Sequence, residues 1–213
     1  MHRPSEPTAC IFDFDGTLVN SMDQLVSIAG HTLAQTHGLA KSEAERLYLL
    51  TSGLPFCEQV DELFPSHPRN AEAVRKFEEE KLKSYPEHKF FADAEATVGY
   101  LKQKGMRVVI SSSNHQEVVD HFIENGPIRF DLVLGYKKNF TKGKCHFSYI
   151  QNTLGITPDG MIFIGDSLRD AARACSEHIP FIAKAGLTSR ADFHSHYPTV
   201  PVIDHLAELR GLL

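Results

Sequence analysis

Short, continuous apolar runs recur along this chain and alternate with longer stretches in which the apolar residues follow a helical spacing. Each run is rich in β-branched or aromatic residues and reaches a Gly, Ser or Asp at its end, which predicts a buried strand. The predicted strands are residues 9–14, 107–112, 131–135, 161–166 and 180–186. Helical patterns lie between them at residues 94–104, 114–126 and 144–154. Apolar strands separated by helices predict an α/β fold with a parallel sheet covered on both faces.

The stretch from residue 19 to residue 89 departs from this alternation, because its helical patterns have no strand between them. These patterns cover residues 21–37, 42–50, 55–64 and 70–84. Ser42 and Glu45 have the spacing of a capping box, which supports a helix start there. We therefore expect residues 19–89 to form an inserted helical domain, and residues 1–18 and 90–213 to form the sheet domain.

Composition and charge narrow the class of partner. Of 213 residues, 42% are hydrophobic and 23% are charged, which is typical of a soluble globular protein. The formal net charge of -5 gives no reason to expect a nucleic acid or an anionic membrane as partner. No run approaches the roughly 18 apolar residues of a membrane span, and four scattered cysteines without a CxxC motif are typical of reduced thiols. We expect a cytoplasmic protein, monomer or homodimer, that acts on a small molecule.

Polar side chains gather where the predicted strands end. Asp13 and Asp15 come at the end of the first strand, Ser111 lies near the end of the second, and Asp166 ends the fourth. Because ligands of an open parallel sheet bind at the carboxyl ends of its strands, we expect these residues to face one crevice. Asp13 and Asp15 would repel each other in apolar surroundings, and a divalent cation such as Mg²⁺ removes that repulsion. With Asp166 as a third carboxylate, the pattern predicts a Mg²⁺ and phosphate site.

Four motifs follow one another along the chain and support that site. They are DFDGTL (residues 13–18), VVISSSN (108–114), TKGK (141–144) and GDSLRD (165–170). In this set the chain resembles the haloacid dehalogenase superfamily, and within it the phosphatases that use an aspartate nucleophile. The resemblance implies a Rossmann-like core, an inserted helical cap and a Mg²⁺-dependent phosphomonoester hydrolase that acts on a small phosphorylated metabolite.

The resemblance also implies a role for each acidic residue. Asp13 would be the nucleophile that forms an aspartyl-phosphate, and Asp15 would be the general acid and then the general base. The acidic set assigned to Mg²⁺ is Asp13, Asp15, Asp166 and Asp170. In this set Asp15 would contribute its main-chain carbonyl, and Asp170 would also orient a catalytic lysine.

Ser111 and a lysine would stabilise the transferred phosphoryl group. The lysine is Lys142 or Lys144, and the KG pair before a predicted helix favours Lys142 because it resembles the phosphoserine-phosphatase-like branch. Within the SSS run Ser111 is preferred as the last strand residue, with a slip to Ser112 left open. Substrate contacts are assigned to Thr17, Ser112, Lys144 and Phe56.

Two other functions remain as alternatives on this scaffold. Related dehalogenases lack the second aspartate, because a halide leaving group needs no proton, so Asp15 argues against that chemistry. Sugar phosphomutases keep both aspartates, and Thr17 favours a phosphatase over a mutase without excluding the mutase. A catalytically idle binding module is the alternative from another class, and the intact set of motifs argues against it.

The turn TSGLPF, residues 51–56, joins two predicted helices of the insert. It carries no cationic residue, and a second phosphate buried without a cation would be costly. We therefore expect a leaving group that is neutral or partly apolar. Either Phe56 or Leu54 packs on that group, or both belong to the core of the insert and Pro55 starts a helix. The sequence leaves these two interpretations open.

Overall fold

The chain forms two compact units. The computed structural model describes residues 7–213, so the first six residues of the predicted sheet domain lie outside the described part. One unit contains residues 7–19 and 90–213, and the other is Asn20–Lys89. The division falls after Val19 instead of before it, because Val19 pairs with Phe90 in an antiparallel bridge of the sheet unit.

Strands and helices alternate outside the helical unit, as the sequence predicts. In chain order the elements are β1 (Ala9–Phe12), α1 (Met22–His37), α2 (Lys41–Leu50), α3 (Phe56–Leu63), α4 (Asn70–Ser84), α5 (Ala94–Gln103), β2 (Arg107–His115), α6 (Gln116–Glu124), β3 (Leu132–Tyr136), α7 (Lys144–Leu154), β4 (Met161–Gly165), α8 (Leu168–Ser176), β5 (Phe181–Lys184), α9 (Arg190–His196) and β6 (Val202–Ile203). None of the helices in the described part combines the length and hydropathy that crossing a membrane requires.

The sheet has six parallel strands in the order β3-β2-β1-β4-β5-β6. The predicted α/β class and the existence of all five predicted strands are confirmed, but β2 continues to His115, so Ser111 is not its last residue and the following helix begins at Gln116 instead of residue 114. Three elements were not predicted from the sequence: β6, which is only two residues long, and the helices α8 and α9. The buried face of α8 includes Ala171 and Ala174, and alanines give only a weak apolar signal at helical spacing.

The two central strands explain why the strand sequences are apolar throughout. Every residue of β1 and of β4 is buried, because helices cover both faces of a parallel sheet. Side chains of the central strands, such as Ile11 and Phe163, join a core cluster with Phe147 of α7 and Phe193 of α9. Burying each such side chain contributes roughly 1.5–3 kcal/mol, and this packing fixes the strand ends in space.

The helical unit has an apolar core of its own. Leu25 and Leu33 of α1 meet Val60 of α3 and Phe77 of α4 there. The helix α1 stops at Gly38, which takes a left-handed conformation (φ 73°) and donates its N–H to the Ala34 carbonyl. These contacts stabilise four helices without any strand, as the pattern predicts.

The turn at residues 51–56 is held by hydrogen bonds to Gln59 of the same unit. The Thr51 hydroxyl donates to Gln59 Oε1 at 2.9 Å, and Gln59 Nε2 donates to the Leu54 carbonyl at 2.9 Å. Phe56 is 5% exposed and stacks on Phe77 with ring centroids 3.9 Å apart. The structure therefore favours the core interpretation of Phe56 over its assignment as a substrate contact, whereas Leu54 is partly exposed.

Truncation of Phe56 should destabilise the helical unit. We expect Phe56→Ala to lower the free energy of unfolding by about 3–5 kcal/mol, because it removes a buried ring and leaves a cavity. Leu54→Ala is the matched control and should cost much less, since Leu54 is already partly exposed. Urea unfolding followed by circular dichroism measures both. A Phe56→Ala protein as stable as the parent would contradict the core placement.

Candidate active site

The sheet register brings the predicted site residues to one edge. Phe12 of β1 is level with Ile110 of β2 and with Ile164 of β4. The residues one step further, Asp13 and Ser111, therefore share the carboxyl edge of the sheet with Asp166, which directly follows β4. The Asp13 N–H donates to the Ile164 carbonyl at 2.8 Å. This bond extends the backbone hydrogen bonding between β1 and β4 by one residue beyond Phe12. The backbone of Asp13 is therefore held as firmly as that of a strand residue.

Lys142 is the centre of the charged contacts. Its Nζ lies 2.5 Å from Asp13 Oδ1 and 2.6 Å from Asp170 Oδ1, and its side chain is 2% exposed. The Thr17 hydroxyl donates to the other Asp13 oxygen, Oδ2, at 3.3 Å. Lys144 is exposed at the start of α7. Of the two candidate lysines, the structure brings Lys142 to the acidic residues.

Two glycines allow this arrangement. Gly143 has φ 101° and ψ -132°, a conformation that side chains rarely adopt, and a Cβ there would lie 3.2 Å from Arg173 Cδ. A Cβ on Gly165 would lie 2.8 Å from both Cβ and Oδ2 of Asp170. Glycine is therefore favoured in the KG pair by its backbone conformation, and in the GD pair because any side chain at Gly165 would collide with Asp170.

Asp170 is held in place by its own helix terminus. Ser167 precedes α8 and accepts the Asp170 N–H at 3.1 Å, while its hydroxyl donates to Asp170 Oδ2 at 2.8 Å. Arg173 Nη1 lies 3.3 Å from Asp170 Oδ1. Both Asp170 oxygens thus have donors, which agrees with a carboxylate that orients Lys142.

The serines of the second motif contact two residues whose roles were not predicted from the sequence. Ser111 is fully buried, and its Oγ lies 2.9 Å from Nδ1 of His146 in α7. The Ser112 hydroxyl accepts the Asn114 N–H at 3.0 Å. Asn114 in turn donates from Nδ2 to Asp15 Oδ2 at 3.2 Å. Asn114 ends the second motif, but nothing in the sequence pairs Asn114 with Asp15 or His146 with Ser111, so only the fold reveals these contacts.

Lys184 is a third site residue that was not predicted from the sequence, although it lies at the end of a predicted strand, as the predicted acidic residues do. It ends β5 and is 4% exposed, and its Nζ donates to the Gly16 carbonyl at 3.2 Å. The Nζ also lies 3.8 Å from the centroid of the Phe91 ring. Burial lowers the pKa of Lys184, and the negative charge of Asp166 opposes that shift. A strand-end lysine in the predicted strand 180–186 was the available signal.

The acidic cluster is electrostatically strained in the metal-free protein. Burial, reinforced by the charges of Asp170 and Asp15, raises the pKa of Asp13 from 3.8 to about 6, although Lys142 opposes the rise. Burial and the charge of Asp13 raise the pKa of Asp166 well above its usual range. The pKa of Lys142 is raised in spite of its burial, because Asp13 and Asp170 attract its charge.

The donor set fits a divalent cation. Asp13, Asp166 and Asp170 are buried, and one carboxylate oxygen of each lies within 4.8 Å of the others. Carboxylate oxygens are the ligands that Mg²⁺ prefers, and a doubly charged ion would offset the repulsion that raises these pKa values. The side chain of Asp15 is outside this cluster, and its predicted contribution through the main-chain carbonyl stays a prediction.

The shifted pKa values predict how the stability of the metal-free protein varies with pH. Because the pKa of Asp13 is 3.8 in its ordinary state and about 6 here, the folded protein binds more protons than the unfolded chain between those values. The raised pKa therefore adds to the free energy of unfolding below about pH 4, and this added stability is lost as pH rises from about 4 to about 6. Urea unfolding in EDTA across this range measures the effect.

Asp166→Asn should flatten this fall, since it removes a second carboxyl group that keeps its proton in the folded protein at pH values where the unfolded chain has lost it. Glu95→Gln is the control, because it removes a carboxylate that is exposed in α5 and lies outside the buried acidic cluster. Equal slopes for Asp166→Asn and the parent would contradict the strained cluster.

Known proteins match most of this chain. The family model for haloacid dehalogenase-like hydrolases matches residues 10–184. The curated relative named "Putative pyrophosphatase PpaX", from Clostridium perfringens (strain 13 / Type A), is 26% identical over 170 residues, which is 76% of this chain and 76% of that protein.

Solved structures share the fold over nearly the whole chain. A predicted phosphatase from Clostridium acetobutylicum superposes with a TM-score of 0.82, at 20% identity, and covers 98% of each chain. A predicted phosphoglycolate phosphatase from Haemophilus somnus 129PT has a TM-score of 0.78 at 18% identity and covers 97% of each chain. The family match spans all four motifs that supply the site residues, from Asp13 to Asp170. This chain belongs to the haloacid dehalogenase-like hydrolase family.

Proposed function

We propose that the protein is a Mg²⁺-dependent phosphomonoester hydrolase that acts on a small phosphorylated metabolite through an aspartyl-phosphate. The observation that carries the proposal is the buried Asp13 carboxylate between Lys142 and Thr17, with a second aspartate two residues further on. A nucleophile, a cation and an acid-base residue are the groups that this two-step phosphoryl transfer needs.

Asp13 acts as the nucleophile. Lys142 and Thr17 contact its two carboxylate oxygens, which fixes the plane of the carboxylate. Lys142 also opposes the effect of burial on the pKa of Asp13 and so favours the ionised form. Attack by a carboxylate oxygen forms the bond to phosphorus as the bond from phosphorus to the leaving oxygen breaks.

Asp15 acts as the acid and the base of the two steps. It gives a proton to the leaving oxygen in the first transfer and takes one from the water that hydrolyses the acyl-phosphate in the second. Its side chain is partly exposed, unlike that of Asp13. A group that exchanges protons with a leaving alcohol and then with water benefits from such access.

The remaining residues bind and orient. Asp13 and Asp166 would hold Mg²⁺ together with the main-chain carbonyl of Asp15. Asp170 belongs to the same cluster, and because its two oxygens contact Lys142, Arg173 and Ser167 its main role is to orient Lys142. The bound ion would supply neutralising charge between the carboxylate nucleophile and the phosphoryl dianion. Ser111 and Lys142 hold the phosphoryl oxygens, and Lys142 adds charge stabilisation as negative charge develops on them.

The substrate class calls for a direct screen. Sugar phosphates, nucleotides, phospho-amino acids and a generic aryl phosphate cover the chemistry that the site admits. Phosphoglycolate and pyrophosphate belong in the screen because proteins similar to this chain carry those substrates in their names. Release of inorganic phosphate with Mg²⁺, and none in EDTA, is the expected result.

Replacement of the nucleophile should stop turnover. We expect Asp13→Asn to lower kcat by roughly 10³-fold or more, because an amide cannot form the covalent intermediate. Mass spectrometry of acid-quenched parent protein should show a phosphoryl group on Asp13, and the variant should show none. A variant that keeps half of the parent activity would refute the mechanism.

The two candidate lysines should differ sharply. We expect Lys142→Ala to lower kcat/KM by about 10²–10³-fold, since it removes the cation that contacts Asp13. Lys144→Ala should change kcat/KM by no more than about twofold, because Lys144 is exposed and substitutions at exposed positions usually have small effects. Melting temperatures measured in Mg²⁺ show whether each variant is folded. The reverse order of losses would assign the catalytic role to Lys144.

A further inference from the structure

The backbone around Asp15 is fixed by several contacts. Gly16 donates its N–H to the Val19 carbonyl at 2.8 Å, and Asp15 pairs with Val19 in an isolated bridge. Lys184 donates to the Gly16 carbonyl from the end of β5. The Asp15 side chain is partly exposed, and two single bonds separate its carboxyl group from the backbone. A carboxyl group that must meet a leaving oxygen needs its orientation fixed as well.

Asn114 makes a hydrogen bond to this carboxyl group. Its Nδ2 lies 3.2 Å from Asp15 Oδ2, and Asn114 is only 7% exposed. The two residues are 99 positions apart in the sequence, and adjacent parallel strands β1 and β2 bring them together. The contact therefore depends on the sheet and not on local sequence.

The amide of Asn114 is oriented before it meets Asp15. Its Oδ1 accepts the His115 N–H at 2.9 Å, so its other atom, Nδ2, must face the carboxyl group. The Asn114 N–H donates to Ser112 Oγ at 3.0 Å. The Asn114 carbonyl oxygen would lie 3.0 Å from a Cβ on Gly135 of β3, so the backbone is packed against the next strand. A donor held this firmly can fix a neighbouring rotamer.

We propose that Asn114 is a positioning residue that holds Oδ2 of Asp15 and thereby presents Oδ1 for proton transfer to the leaving group. The inference rests on the proposed function, in which Asp15 is the general acid and base. Oδ2 accepts the amide N–H, so the transferable proton sits on Oδ1. It passes to the leaving oxygen in the first step, and Oδ1 takes a proton from water in the second.

A neutral donor suits a residue that works in both protonation states. An arginine or lysine in this place would favour the carboxylate and oppose its protonation, which would weaken the acid step. An amide N–H can donate to Oδ2 whether Oδ1 carries a proton or not. Asn114 can therefore stay in contact with Asp15 through both steps of the reaction.

The dependence of rate on the leaving group isolates this role. With 2,4-dinitrophenyl phosphate the leaving group departs as an anion and needs no proton, whereas a simple alkyl phosphate needs general acid catalysis. The parameter kcat/KM covers the steps up to departure of the leaving group, so it reports the acid step and not hydrolysis of the acyl-phosphate. The full chain in Mg²⁺ is assayed with a series of esters between these two.

Two variants remove the donor in different ways. Asn114→Ala removes the whole amide. Asn114→Asp keeps an oxygen that can accept the His115 N–H, so the local turn is preserved while the donor to Asp15 is lost. We expect Asn114→Ala to lower kcat/KM by about tenfold or more on the alkyl phosphate and by less than about twofold on the dinitrophenyl ester. The added charge of Asn114→Asp acts on every ester, so for this variant we expect a loss on the alkyl phosphate that exceeds the loss on the dinitrophenyl ester by about tenfold. Ser111→Ala is the contrast, because loss of a phosphoryl contact should lower kcat/KM equally across the series.

A double-mutant cycle with Asp15→Asn tests whether Asn114 acts through Asp15. If it does, Asn114→Ala added to Asp15→Asn should change kcat/KM on the aryl esters by less than about twofold. Losses that are equal across the leaving groups, or that multiply fully with those of Asp15→Asn, would overturn the inference. If Asp15→Asn itself shows no dependence on the leaving group, the acid role in the proposed function fails, and this inference fails with it. A strong dependence for Asp15→Asn with none for Asn114→Ala and Asn114→Asp would overturn only the role of Asn114.

Discussion

The geometry of the rest of the site depends on the ion pairs of Lys142 with Asp13 and Asp170. All three side chains are almost fully buried, and a buried charge without a partner costs far more than a pair contributes. The sheet unit therefore has to bring the end of β1 and the starts of α7 and α8 to one point. The rigid parallel strands make that possible, because their carboxyl ends meet at one edge of the sheet.

Close approach of backbone to side chain allows those pairs to form. Gly143 lets the chain turn directly after Lys142, and Gly165 lets β4 pass within contact distance of Asp170. Ser167 then completes the first turn of α8 and gives Asp170 a hydroxyl donor. The precision of the charged contacts is thus a consequence of small residues at two strand and helix ends.

The same geometry leaves the cluster short of positive charge. Burial and mutual repulsion raise the pKa values of Asp13 and Asp166, while Lys142 remains protonated. A divalent cation would stabilise this site, because its charge would offset the repulsion between the carboxylates. The fold therefore favours the metal that the proposed chemistry uses. The helical unit is stabilised separately, by a core of its own around Phe77 and Val60.

The sequence by itself determined the strand order along the chain, the inserted helical segment, the family resemblance and the acidic residues at strand ends. These follow from local patterns, since apolar runs predict strands and short motifs mark where polar residues leave the core. Tertiary structure alone decided which lysine meets Asp13 and that Phe56 packs on Phe77. It also decided that Asn114 and His146 reach Asp15 and Ser111. Each of these depends on a distance between residues far apart in the chain, and that distance exists only once the sheet register and helix packing are set.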